Sequence, residues 1–142
     1  MDLKLITLLC ICLTAAVMDL ITLKIKNSLI VAGIVSGFGF SFSEGGVHSL
    51  SLSLLGACIP VMLFFIPFML RLFGAGDVKL FSMIGVFTGP KDIFCIILYS
   101  FLAGGLICII RYMVTFREKG SVRIPFALPA FIGVLIMTGD LL

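Results

Sequence analysis

Charge is scarce in this chain. Of 142 residues only 12% are charged while 61% are hydrophobic, and the mean hydropathy is +1.33. A soluble domain of this length could not hide so much apolar surface. Histidine is scarcer still: His48 stands alone in a polar break, and no cluster of His with Cys marks a zinc site. The five cysteines, Cys10, Cys12, Cys58, Cys95 and Cys108, include no Cys-x-x-Cys pair. They fall inside apolar stretches and read as small buried hydrophobes, with no disulfide. Phosphate-binding loops, dinucleotide fingerprints and nucleophilic Ser or Cys arrangements are missing too, as are internal repeats and low-complexity tracts. The expected chemistry therefore uses neither a metal nor an organic cofactor.

What is present is a series of apolar runs. About 20 apolar residues cross a bilayer as a helix, so the chain has room for about six spans joined by short loops. The runs are Leu3 to Leu23, Ser28 to Phe42, Leu50 to Leu70, Leu80 to Phe87, Ile93 to Val114 and Ile124 to Leu142. The second and fourth are short for a full crossing. Lys4 ahead of an apolar run resembles a secretory signal, but Asp2 weakens the basic region and further spans follow, so the first run reads as a retained helix. The fold class expected is all-α, a polytopic membrane protein with residues 1–142 as one transmembrane domain and no extramembrane module.

The net charge of +3 is not a nucleic-acid footprint; its meaning lies in where the basic residues fall. Lys24, Lys26, Arg71, Lys79, Arg111, Arg117, Lys119 and Arg123 lie in alternate breaks that share one side, leaving Lys4 and Lys91 for the other. The positive-inside rule puts the first group in the cytoplasm and both termini outside.

A carboxylate in or beside a span needs a reason to be there. Asp2, Glu44, Asp92 and Asp140 fall at outer ends and Glu118 in a charged cytoplasmic loop, where solvation accounts for them. Asp19 and Asp77 remain. Far apart in the chain, they come to similar depth near the cytoplasmic face, one near the end of the first span and one at the start of the fourth. Two carboxylates sharing a site do not both ionise easily. The ionised one can take a proton from water while the protonated one polarises a peptide carbonyl. Asp77 at a helix start then reads as the ionised base, and Asp19 at a helix end as the protonated acid. A single aspartate at a helix end is an ordinary interfacial residue, so position alone does not decide for catalysis. Gly74 and Gly76 remove side chains just before Asp77, which lets either a substrate backbone or a neighbouring helix approach. Lys79 lies on another helix face and reads as snorkelling to the interface.

Three segments resemble the type IV prepilin peptidases. Gly74-Ala75-Gly76-Asp77-Val78-Lys79-Leu80 is similar to their Gly-x-Gly-Asp motif with its Val-Lys-Leu continuation. Asp19 through Leu29 resembles their first aspartate motif, in which Asp is followed by a basic stretch and Ile-Pro-Asn. Ile124-Pro125-Phe126-Ala127-Leu128-Pro129-Ala130 resembles the proline-containing lead-in to their final helix. The resemblance implies a Gly-x-Gly-Asp-type aspartyl protease fold with Asp19 and Asp77 catalytic. The implied partners are prepilin-like membrane proteins, whose short basic leader is cut off at the cytoplasmic face, after a glycine. Lys26 stands where the family has proline, which implies a looser turn after Asp19. The chain resembles the short form, similar to preflagellin and tight-adherence pilus peptidases, without the paired-cysteine loop tied to N-methylation.

Two other readings use the same aspartates. Signal-peptide-peptidase and presenilin-like proteases share Gly-x-Gly-Asp, but they resemble longer chains with Tyr-Asp first and Pro-Ala-Leu near the end. Here Met18 precedes Asp19, and Phe126-Ala127-Leu128-Pro129 does not spell that motif. A small transporter or channel would pass protons or cations along Asp19 and Asp77, yet the spans carry few of the mid-span polar residues such a path needs.

Overall fold

The computed structural model describes residues 3–22, 25–70, 74–115 and 127–139, the side chains of 111–115 excepted. Lys24, Arg71, Arg117, Lys119, Arg123, Asp2, Glu118, Asp140 and the stretch Ile124 to Phe126 lie outside the described residues. The described residues form four helices: α1 (Leu3–Thr22), α2 (Asn27–Met69), α3 (Ala75–Thr115) and α4 (Ala127–Gly139). The first three are long and apolar enough to cross a membrane, whereas α4 is a shorter apolar helix. At 13 residues, α4 is roughly 20 Å long against about 30 Å of hydrocarbon.

Helices α2 and α3 are not straight rods. The Ser41 and Ser53 hydroxyls are hydrogen-bonded at 2.6 Å, although they would stand roughly 18 Å apart along a straight helix. Between them Gly45 and Gly46 leave helical geometry, Gly46 at φ 58°, ψ −138°. In α3 the rings of Phe81 and Phe101 lie 5.4 and 5.8 Å from that of Phe64, where a straight helix would part them by roughly 30 Å. The break is Gly89, at φ 79°, ψ −178°. Both backbone conformations are essentially restricted to glycine. Each helix therefore folds back on itself, and Pro90 restarts the second half of α3 at a first-turn position that needs no N–H. Two of the polar breaks read from the sequence, at 43–46 and 88–90, are these reversals, only narrower: Gly45 and Gly46 in α2 and Gly89 in α3 are the residues that leave helical geometry.

The first half of α3 is the centre of the molecule. From Leu80 to Phe87 every residue but Ser82 is buried, packed by Leu8, Cys12 and Ala15 of α1, Ile30 and Phe64 of α2, and Ala130 and Val134 of α4. Outward faces are equally apolar, with Met62 77% and Ile66 68% exposed, as suits lipid contact. Water cannot drive association between helices in lipid, so close packing must do it. Glycines supply it: a Cβ on Gly85 would strike the Gly56 carbonyl and one on Gly56 the Gly85 carbonyl. Gly33 admits the Met83 side chain, and Gly133 receives Ser100. The cysteines depart from expectation. All are free, but only Cys12 is buried and the other four face outward, because a lipid-facing position accepts a small apolar side chain as readily as a core one.

Candidate functional site: two helix starts and two aspartates

Asp19 lies in the last turn of α1 and is only 7% exposed. A buried carboxylate needs hydrogen-bond partners, and one comes from far along the chain. The backbone N–H of Ala127, 108 positions away, donates to Asp19 Oδ2 at 3.0 Å. Among the described residues Ala127 is the first of α4, and the N–H groups of a helix's first turn have no partner within the helix.

Asp77 lies in the first turn of α3, three residues before the expected apolar run, because the helix starts at Ala75 and not at Leu80. Its Oδ2 accepts the N–H of Gly74 at 3.3 Å, and its own N–H donates to the Gly74 carbonyl at 3.1 Å. This is the returning half of a capping box, with the third helical residue reaching back to the cap. Asp77 is half-buried. The two carboxylates lie within electrostatic reach of each other. The structure thus brings together the two residues singled out in the sequence, each with one oxygen engaged by a backbone N–H.

That symmetry removes one of the two grounds for the division into base and acid. Besides burial among apolar neighbours, the division took Asp19 to face the unfavourable end of its own helix. In the fold it also meets the favourable N-terminus of α4, the kind of contact that Asp77 has with α3. Helix dipoles therefore do not separate the two roles.

The glycines of the motif differ from one another. A Cβ on Gly74 would sit 3.3 Å from Asp77 Oδ2, while one on Gly76 would meet nothing within 4 Å among the described residues. Neither serves as a helix-packing glycine of the kind seen at Gly56 and Gly85. Between Val61, Phe64 and Phe68 of α2 and Ala75, Val78, Lys79 and Ser82 of α3, on a different face of α3 from Asp77, runs an almost wholly apolar groove of about 370 Å³. Composition gave no sign of it.

Two further details bear on the motifs. Lys79 is exposed as expected, but its Nζ also donates to Asn27 Oδ1 at 3.2 Å, tying the start of α3 to the start of α2. Lys26, where a looser turn was expected, takes φ −67°, ψ 128° just before α2. That is the φ a proline ring would impose, so the backbone keeps the turn without it. At the other end of α1, Lys4 pairs with Glu44 at 2.8 Å. It also lines a cavity of about 250 Å³ with Thr88 and Asp92, a helix length away from the aspartates.

A protein-family model described as the type IV leader peptidase family matches residues 6–109, which include both aspartates. No curated protein and no solved structure matches the chain.

Proposed function

The chain belongs to the type IV leader peptidase family, and from that membership we propose that it is a membrane-embedded aspartyl endopeptidase acting through Asp19 and Asp77. Its substrates are prepilin-like proteins, cut where a short basic leader joins an apolar helix, at the cytoplasmic face. The observation that carries the reading is the convergence of Asp19 and Asp77, from distant parts of the chain, at one end of the bundle.

The chemistry follows from the pair. The ionised carboxylate takes a proton from a water molecule whose oxygen attacks the scissile carbonyl carbon. The protonated carboxyl gives its proton to the carbonyl oxygen as charge develops there. The resulting diol collapses, the C–N bond breaks, and a proton passes to the departing amine. A new carboxyl end and a new amine end remain, and the pair returns to its starting state.

A basic leader stays in the cytoplasm by the same rule that places the basic breaks of this chain there. Its junction with the helix then reaches the depth of the aspartates. The two reversals divide α2 and α3 in half, which supports six membrane crossings with both termini on one side, and the basic residues favour the outside for them.

The test is cleavage of a synthetic substrate, a short basic leader and a glycine followed by an apolar helix, co-reconstituted with the protein in liposomes. Asparagine is the right replacement because its side-chain oxygen can still accept the N–H of Ala127 or Gly74. Asp19→Asn and Asp77→Asn should each abolish cleavage while the protein stays folded, and Asp92→Asn should cleave normally. Substantial turnover by either variant would refute the mechanism. Ion flux through the same liposomes, lost in both variants while no cleavage occurs in the parent, would favour a transporter instead.

A further inference from the structure

We propose that the N-terminus of α4 is a working part of the proposed peptidase site, with the backbone N–H of Ala127 as the group that positions Asp19. The inference rests on the peptidase reading and adds to it. Asp19 is buried and its Oδ2 accepts the Ala127 N–H at 3.0 Å. Asp77 Oδ2 is held by the Gly74 N–H in the first turn of α3. Each carboxylate is thus pinned by one oxygen to the start of a helix.

The two pins differ in kind. That of Asp77 is local and forms with its own helix. That of Asp19 comes from a separate helix, so the geometry of the pair depends on how α4 is docked. Its docking is well determined: Ala127, Ala130 and Val134 are buried in the common core, and Gly133 sits against Ser100 of α3. Without the N–H, Asp19 would lose the contact that fixes its side-chain torsions, and its carboxylate would no longer be held in one place relative to Asp77.

The experiment removes one hydrogen. L-Lactic acid in place of Ala127, introduced by semisynthesis into the full chain, turns the amide into an ester and adds no atom. Ala127→Pro removes the same N–H genetically, at a first-turn position where proline suits the helix. The corresponding ester at Leu128 controls for ester chemistry. With the leader–glycine–helix substrate in liposomes, the lactate variant should lose about tenfold or more in kcat with KM within about twofold, since positioning acts on the chemical step. The Leu128 ester should keep the parent kcat.

A lactate variant with the parent kcat overturns the inference, whatever the proline variant does. So does a loss of kcat in the lactate variant that is matched by the Leu128 ester, or that tracks a fall in the unfolding midpoint. Failure of the underlying reading looks different: Asp19→Asn in the same assay would then cleave like the parent.

Discussion

Gly74 and Gly76 flank the same residue, share a motif and would ordinarily be given one explanation. Their surroundings give them two. An Ala at position 74 places its Cβ 3.3 Å from Asp77 Oδ2, so the carboxylate has to yield by a few tenths of an ångström. A misplacement of about 1 Å in a reacting group costs roughly 10²-fold in rate. A shift of about 0.3 Å scales to roughly fourfold. Gly74→Ala should therefore lower kcat by roughly fourfold with KM little changed.

Gly76→Ala acts on a different step. Its Cβ meets nothing within 4 Å among the described residues, and alanine in a helix is more stable than glycine by roughly 0.5–1 kcal/mol. The variant should unfold at a slightly higher temperature. It should also bind substrate worse, because the added methyl occupies the side from which a peptide backbone approaches Asp77. A clash of about 1 kcal/mol raises KM by about fivefold. Steady-state cleavage in liposomes, paired with thermal unfolding, reads all of these quantities. An unchanged KM in Gly76→Ala would refute the open-approach reading, and an unchanged kcat in Gly74→Ala would refute the contact with Asp77.

Lys26→Pro should be tolerated and should raise stability by about 0.4–1 kcal/mol, because φ −67° is already the proline value; thermal unfolding checks it, and a destabilised protein would contradict the backbone assignment. Gly85→Ala should destabilise by about 1–3 kcal/mol, since the added Cβ meets the Gly56 backbone and not a side chain that can move aside. A midpoint equal to the parent's would count against that helix crossing. For topology, a reporter active only outside the cytoplasm should work when inserted near Gly46 and fail near Lys119. The reverse pattern would overturn the orientation drawn from the basic residues.

How far the sequence could be read depended on whether a feature carried a side-chain signature. The aspartates did, because an acidic residue beside an apolar run stands out whatever its partner. The reversals did as well: Ser43-Glu44-Gly45-Gly46 and Thr88-Gly89-Pro90 interrupt apolar stretches with residues suited to breaking a helix. Which face of each helix turns inward did not. In water an amphipathic stripe marks the core, but lipid is as apolar as the core, so Met62 on the surface and Met83 in the centre look alike in sequence. Hence the cysteines, read as buried, mostly face outward.

The partner of Asp19 was hidden for a different reason. It is a backbone N–H, which every residue but proline owns, and it becomes available only because α4 begins there. The nearest sequence signal was indirect: Pro125 and Pro129 bracket Ala127, and prolines gather where a helix starts. They could mark a helix start with unsatisfied N–H groups, but not which carboxylate it would meet. That pairing is a property of how α1 and α4 pack. The residue that supplies the N–H to Asp19 can therefore vary in identity without any trace in the motif, provided that α4 still begins at the same place.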